Sequence, residues 1–370
     1  MRHKNTSLES LRRKVHNIDS DIVRLIGRRF AITRQIGSRK KMLNAPLRNW
    51  EVEKTVMQNV IYLANRTGVP VTLAKTIMQQ LIAESCRQQE SICYTQPTKT
   101  AEKILIIGGN GNMGTWFANF FKNQGHDVAI YDITGPSKQF YNYDSLGQGL
   151  ESSSCAAIAT PMEVVPQVIE LVTKKKFKGL VFDIASLKDY LKKIISKAIR
   201  QGMLLTSIHP LFGPSTRILS DKTICICKCG NPQADKKAEN LFKASAVSIV
   251  RLGLPQHDRL ISYVLSPSHL INIIFVNVLR RSGYEYTALQ KVASTTFLSQ
   301  MTTAASVIHE NPGLYFAIQK FNPYKKKLFS ELLLATREIT KVILQRKKVR
   351  FRKNMSLSRA WFGTSSRILP

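Results

Sequence analysis

Residues 103–132 alternate an apolar run, a glycine loop, a helical stretch and a second apolar run, and nothing else in the chain restricts its fold so tightly. "KILIIG" reads as a strand. Met113, Trp116, Phe117, Phe120 and Phe121 then recur at helical spacing before Gly125, and "DVAIYD" is a second strand ending in Asp132. Between the first strand and the helix lies Gly109-x-Gly111-x-x-Gly114. Glycines at these positions let the backbone approach a pyrophosphate on the helix N-terminus, and an acid roughly 20 residues on accepts the hydroxyls of an adenosine ribose. The pattern predicts dinucleotide binding by Gly109, Gly111, Asn112, Met113, Gly114 and Asp132, with Thr160 of "IATP" grouped with them. An acid at 132 repels a 2′-phosphate, which favours NAD over NADP. The alternative is a purely structural glycine turn.

Further strand candidates follow at "CAAIAT" (155–160), "GLVFDIA" (179–185), "LLTSIHP" (204–210) and "KTICICK" (222–228). The earlier ones are separated by helical stretches such as Leu191, Ile194, Ile195 and Ala198. This alternation describes a Rossmann-like, doubly wound parallel sheet, whose ligands collect at the carboxyl ends of the strands. Two of those ends carry polar groups, Ser186 after one strand and His209 at the end of the next. A histidine before proline is often a turn residue with a satisfied ring. Beside a nicotinamide, however, its pKa range suits it to take a hydroxyl proton while hydride leaves the same carbon. Ser186 can fix that hydroxyl.

"IIGGNGNMG", "IATP", "FDIASLK" and "HPLFGP", in that order, followed by "NPGLY" and "SRAWFG", resemble the prephenate dehydrogenase family over roughly residues 103–363. The resemblance implies NAD-dependent oxidation of prephenate with loss of its ring carboxylate, giving 4-hydroxyphenylpyruvate for tyrosine synthesis. It implies that His209 is the catalytic base, Ser186 its partner at the substrate hydroxyl, and His269 a histidine facing the substrate. One departure is that Leu298 stands where the family has an arginine for the substrate carboxylate. Arg217 or Lys291 can take that task, or the substrate is held differently, and arogenate stays open as the substrate.

The hundred residues in front have a different pattern. Residues 8–41 lack proline, and Leu11, Val15, Ile18, Ile22, Leu25, Ile32 and Ile36 mark the seam of a long helix packed against others. The stripe is interrupted by Arg29 and Lys40, which share a face roughly 16 Å apart. A buried cation must be paired, either with carboxylates of other helices or with an anionic ligand inside the bundle. Two basic side chains closing on one small dianion favour the second reading. Arg12 lies too far along the helix to reach that ligand, but it can reach the equivalent one of a second chain across an antiparallel dimer.

These positions resemble the all-helical class of chorismate mutase over residues 8–90, through "LRRKVHNIDSDIVRLIGRRFAITRQIGSRK", "PLRNWEVE" and "ESCRQQ". The resemblance carries over Arg12, Arg29, Lys40, Glu53, Ser85 and Gln89, with Asn49 where some members have aspartate. The implied reaction is a rearrangement within one molecule, helped by holding a chair-like conformer and stabilising charge on the breaking ether oxygen. Lys40 and Gln89 would donate to that oxygen, Arg12 and Arg29 would hold the carboxylates, and Glu53 would take the ring hydroxyl. Gln89 donates without protonation, so activity should persist at neutral pH.

The expected architecture is therefore multidomain, α and α/β. A helical chorismate-mutase-like bundle (1–91) is followed by a linker (92–102), a Rossmann-like domain (103–252), an all-helical substrate and dimerisation domain (253–363) and a tail (364–370). In the last domain, paired apolar positions over 257–281 give a helix with a wide apolar face, read as a dimer core that Pro267 kinks. No effector-binding domain is visible. The longest apolar stretch is broken by Asn272 and Asn277, so no membrane span is expected, and without a secretory signal the expected location is cytoplasmic.

Six cysteines are too sparse for a disulfide framework. Cys225, Cys227 and Cys229 are read as buried apolar side chains on one strand face rather than a metal site. The formal net charge of +31 raises a nucleic-acid partner as a rival reading. The basic residues are spread along the chain without a zinc-finger, RNP or basic-heptad frame, so solvated lysine-rich faces are the preferred account. A further rival keeps the dehydrogenase and makes the front module a non-catalytic dimerisation element.

Overall fold

The computed structural model describes residues 7–43, 50–93, 101–216, 219–220, 222–243 and 245–363. Asn49, Arg217, most of the 92–102 linker and the 364–370 tail lie outside the described residues. The chain packs as two compact units: Met1–Ala157 with Pro210–Ile226 and Lys236–Val250, and Ile158–His209 with Cys227–Asp235 and Arg251–Pro370.

The first unit begins with three helices, α1 (Leu8–Met42), α2 (Trp50–Thr67) and α3 (Val71–Cys93). Ser7 starts α1 by accepting the Ser10 amide at 3.2 Å. Helices α1 and α2 both pack on α3. At Gly37 the approach of α1 to α3 is close: a Cβ there would lie 2.8 Å from Gln89 Cγ. The apolar stripe of α1 does not face α2 or α3. Leu11, Val15, Ile18, Ile22, Leu25, Ile32 and Ile36 are 44–60% exposed in the single chain, so the seam has its packing surface turned outward.

The strands follow, with β1 (Lys103–Ile107), α4 (Asn112–Asn123), β2 (Asp127–Tyr131), β3 (Tyr141–Asn142), α5 (Leu146–Glu151) and β4 (Cys155–Ile158). Strands β1 and β2 pair in parallel from Lys103↔Asp127 to Ile107↔Tyr131, and β3 continues in parallel beside β2. Helix α4 supplies the crossover that the parallel β1–β2 pair needs, whereas β2 and β3 are joined by a loop without a helix. Phe117, Phe121 and Phe242 form the buried aromatic core beneath α4.

The second unit contains α6 (Val165–Lys174), β5 (Leu180–Asp183), a 3₁₀ turn (Asp189–Leu191), α7 (Lys192–Arg200) and β6 (Leu204–Pro210). Strands β5 and β6 are parallel, from Leu180↔Leu204 to Asp183↔Ser207. After β7 (Thr223–Lys228), α8 (Pro232–Asn240) and β8 (Ser248–Gly253) come α9 (Leu254–Arg281), α10 (Tyr286–Lys291), α11 (Thr295–Ile308), α12 (Pro312–Phe321), α13 (Lys325–Leu344) and α14 (Lys348–Phe362). The strand order is β3-β2-β1-β4-β5-β6-β7-β8, reversing direction about β1, as a doubly wound sheet does.

Two expectations need correcting. Strand β7 ends at Lys228, so Cys229 lies beyond the strand that holds Cys225 and Cys227, and its thiol donates to the Cys227 carbonyl at 2.9 Å. Helix α9 is, by length and composition, long and apolar enough to cross a membrane, because the intervening asparagines do not offset its apolar positions. Its distribution is unusual. The side facing the protein carries Ser262, Ser266 and Asn272, bonded to Asn322, Gln319 and Gln300, while Leu260, Val264, Ile271, Ile274 and Val278 are exposed. Pro267 lies inside the helix without ending it.

Candidate active sites

In the helical module the polar groups meet where α1 faces α3. The half-buried Arg29 guanidinium donates through Nη1 to the Leu81 carbonyl at 2.8 Å and to Ser85 Oγ at 2.5 Å, and Ser85 Oγ in turn donates to the same carbonyl at 2.7 Å. Burial holds the Arg29 pKa below its ordinary value. The buried Gln89 is one turn further along α3 and lies against Gly37, and its Oε1 has no hydrogen-bond partner among the described residues. Lys40 and Glu53 are half-buried. Arg12 is exposed near the start of α1. Arg29, Ser85 and Gln89 thus share the α1–α3 face, and their donors suit a small anion with an ether or hydroxyl oxygen beside it.

In the glycine loop, Gly108 takes φ +84°, a left-handed conformation that favours glycine. A Cβ on Gly114 would strike the Gly108 carbonyl and come 2.8 Å from Gly109 Cα, and one on Gly109 would strike Ile130. Close packing of loop, helix and strand therefore requires both glycines. Gly111 is the N-cap of α4 and supplies no side-chain cap, so the first-turn amides at Asn112, Met113 and Gly114 are available to an anion. Asp132 is fixed toward the loop. Its Oδ2 accepts the Asn110 amide at 2.9 Å, and its Oδ1 accepts the Thr134 amide and hydroxyl at 2.9 and 2.8 Å. These groups fit a dinucleotide. Trp116, on α4, stacks on Phe120 at 5.1 Å, lies 5.0 Å from Phe212 and donates its Nε1–H to the Thr216 carbonyl at 2.5 Å.

The second unit carries the other polar groups. Thr160 Oγ1 is buried and has no partner among the described residues. His209 is buried at the end of β6, with its Nδ1 3.0 Å from Nε2 of the fully buried His257. His257 Nδ1 lies 2.8 Å from Asp258 Oδ1. The Asp258 carboxylate also accepts the Lys188 amide at 2.9 and 3.0 Å and the Asp189 amide at 2.7 Å, which ties α9 to the start of the 3₁₀ turn. The Lys188 ammonium, wholly buried, donates to Asp183 Oδ1 and to the Ile208 carbonyl, each at 2.8 Å. Burial, then the neighbouring His257 and Lys188, hold His209 well below the ordinary histidine range. Burial likewise lowers His257, against the raising effect of its bond to Asp258.

Ser186 is half-buried between β5 and Lys188. The His269 ring lies 4.2 Å from that of Tyr315 at a tilt of 40°, burial lowers its pKa to about 4, and its Nδ1 is buried with no partner among the described residues. Leu298 is 47% exposed and Lys291 is exposed.

Lys188, His257 and Asp258 did not emerge from the sequence as a group with His209. The available signals were a lysine just past a strand end in "FDIASLK" and adjacent His-Asp at a helix start in "QHDR". Only the fold brings the two segments together.

Residues 11–90 match the family described as chorismate mutase type II, and residues 255–357 match the dimerization domain of prephenate dehydrogenase. A probable arogenate/prephenate dehydrogenase from Methanocaldococcus jannaschii is 26% identical over 277 residues, covering 71% of this chain. The chain spans 62% of that relative's length. The T-protein of Enterobacter agglomerans is 20% identical over 356 residues, covering 96% of this chain and 93% of its own. Among solved structures, prephenate dehydrogenase from A. aeolicus in complex with hydroxyphenyl propionate and NAD+ has the same fold. It covers 72% of this chain and 99% of its own, with a TM-score of 0.57 and 15% identity.

Proposed function

We propose that this chain, which carries a type II chorismate mutase domain and a prephenate dehydrogenase dimerisation domain, rearranges chorismate to prephenate. It then oxidises prephenate to 4-hydroxyphenylpyruvate with NAD. The observation that carries the reading is the presence, in one chain, of the Arg29–Ser85–Gln89 face and a buried His209 held against His257.

In the mutase, Arg29 and the Arg12 of a second subunit hold the two carboxylates. Ser85 fixes the Arg29 fork, Lys40 and Gln89 donate to the ether oxygen, and Glu53 takes the ring hydroxyl. The rearrangement needs no acid, base or nucleophile, so the residues act by conformer selection and by stabilising developing charge.

In the dehydrogenase, Gly109, Gly111, Asn112, Met113, Gly114, Asp132 and Thr160 bind the cofactor, with the first-turn amides of α4 on the pyrophosphate. Bound NAD supplies the hydride acceptor. His209 takes the ring hydroxyl proton that Ser186 positions. The C–H pair would leave as hydride while the O–H pair closes a C=O bond; the bond to the ring carboxylate then breaks, its electron pair passes through the ring onto that oxygen, carbon dioxide departs, and the aromatic phenolate takes a proton back from His209. His269, neutral at physiological pH, meets the substrate as a hydrogen-bonding ring rather than a cation.

The domain division we infer is 1–91 for the mutase, 92–102 for the linker, 103–252 for cofactor binding, 253–363 for substrate and dimerisation and 364–370 for the tail. The outward apolar faces of α1 and α9 support a homodimer, and we infer a cytoplasmic enzyme. The exposed Leu298 in place of a carboxylate-binding arginine keeps arogenate open as a second substrate reading.

The test supplies purified protein with chorismate and NAD and follows NADH. NADH appearing from chorismate supports the two-step reading, and chorismate unchanged in the presence or absence of NAD rejects the mutase. Prephenate and arogenate offered separately decide the oxidised substrate.

A further inference from the structure

The carboxylate of Glu90, next to Gln89 on α3, is fully buried and receives four hydrogen bonds from one short stretch of the Rossmann-like region. The Leu219 amide reaches its two oxygens at 2.9 and 3.0 Å, and the Ser220 amide and hydroxyl reach Oε2 at 3.1 and 3.2 Å. This stretch belongs to the segment that follows His209 and Pro210 and ends at β7. The same segment is held a second time, at Thr216, by the indole of Trp116 on the glycine-loop helix. It is therefore continuous with the proposed base, bonded to the proposed cofactor helix, and bonded to the last turn of the mutase module.

A buried carboxylate persists only where donors replace its water, and here the donors come from a different module. Gln89 and Glu90 are consecutive on one rigid helix. Gln89 lies where α1 and α3 approach closely, since a Cβ on Gly37 would come 2.8 Å from its Cγ. A small movement of α3 as the mutase site fills must shift the Glu90 carboxylate too.

We propose that Glu90 is a positioning residue of the dehydrogenase, contributed by the mutase module. It holds the segment after His209, and it transmits occupancy of the mutase site to that segment. This rests on the function proposed above, and the experiment separates the two. Wild-type turnover of chorismate and prephenate tests the function; amide exchange at Leu219 and Ser220 in the full chain tests Glu90.

In the wild type the Leu219–Ser220 amides exchange slowly. A non-reactive bicyclic dicarboxylate ether, shaped like the chair-like rearrangement transition state, slows them about threefold or more further. Glu90→Gln speeds their exchange about tenfold and abolishes the response to that ligand. It raises the dehydrogenase KM for prephenate about fivefold with kcat within about twofold, the separation expected of positioning rather than chemistry. Ser220→Ala removes one of the four bonds from the segment's side and gives a smaller effect in the same direction, which keeps the test open should Glu90→Gln not fold. Exchange and KM unchanged in a folded Glu90→Gln protein overturn the proposal. A ligand response that survives in Glu90→Gln overturns the transmission.

Discussion

His209 Nδ1 stands 3.0 Å from His257 Nε2, and the direction of that bond follows from what lies behind it. Asp258 is acceptor-only as a carboxylate, so the proton between it and His257 belongs to His257 Nδ1. Neutral His257 then has a lone pair on Nε2, which takes the Nδ1 proton of His209. That assignment comes from the hydrogen-bond network and leaves His209 Nε2 as the basic nitrogen. Replacing His257 with phenylalanine should cost the dehydrogenase about 10²-fold in kcat, with the prephenate KM little changed, since proton transfer by a positioned base contributes at least that much. Steady-state kinetics with prephenate check this.

His209→Asn should lower NADH formation about 10²–10⁴-fold while chorismate still disappears. Arg29→Ala should do the converse, reducing chorismate turnover about 10²-fold while supplied prephenate is still oxidised. Paired assays on the two proteins read both reactions, and a variant that loses both at once would contradict separate sites.

The pH response has a defined sign. Burial keeps the folded pKa of His209 well below that of a free imidazole, and lowers His126, His257 and His269 as well. The acid limb of dehydrogenase kcat/KM should therefore fall below pH 6.5, not at it. Stability behaves accordingly. Between the folded pKa values and about 6.5 the unfolded chain binds more protons than the folded one, so stability should decline as pH falls through this window and be restored above it. Thermal midpoints at pH 7.5 and 5.5 measure the change.

Gly114→Ala places a methyl group against the Gly108 carbonyl and Gly109 Cα. We expect a displaced glycine loop and a loss of about 10²-fold in kcat/KM for NAD, with mutase turnover retained. NAD titration by isothermal calorimetry and a chorismate assay on the same preparation test it.

Lys188→Met leaves Asp183 in a fully buried position without its ammonium partner. Breaking such a pair from one side costs about 3–5 kcal/mol, and adding Asp183→Asn should recover part of it by removing the stranded charge. Urea unfolding of the single and double variants gives both numbers.

The glycine loop was legible from sequence because its geometry is local: glycines, helix start and ribose acid all fall within 103–132. Arg29 was legible because a cation interrupting an apolar period is visible in one dimension. Ser85 as its hydrogen-bond partner needed the α1–α3 packing, and the His257–Asp258 support of His209 needed α9 beside β6, since 48 residues separate the two histidines. Sequence periodicity also could not show that the α1 stripe and the apolar side of α9 both point away from their own chain. Period reports which residues share a face, but the rest of the fold decides which way that face is turned.

Among the described tryptophan side chains, Trp116 sits in an aromatic stack with its ring nitrogen bonded to the segment that Glu90 also grips, whereas Trp361 is 82% exposed to water. The molecule thus carries its own optical gauge. Emission from the half-buried Trp116 indole should redden whenever that segment lets go, and with a Trp116→Phe protein as the blank for the other tryptophans, fluorescence can follow in real time and without a label how firmly the two modules grip one another.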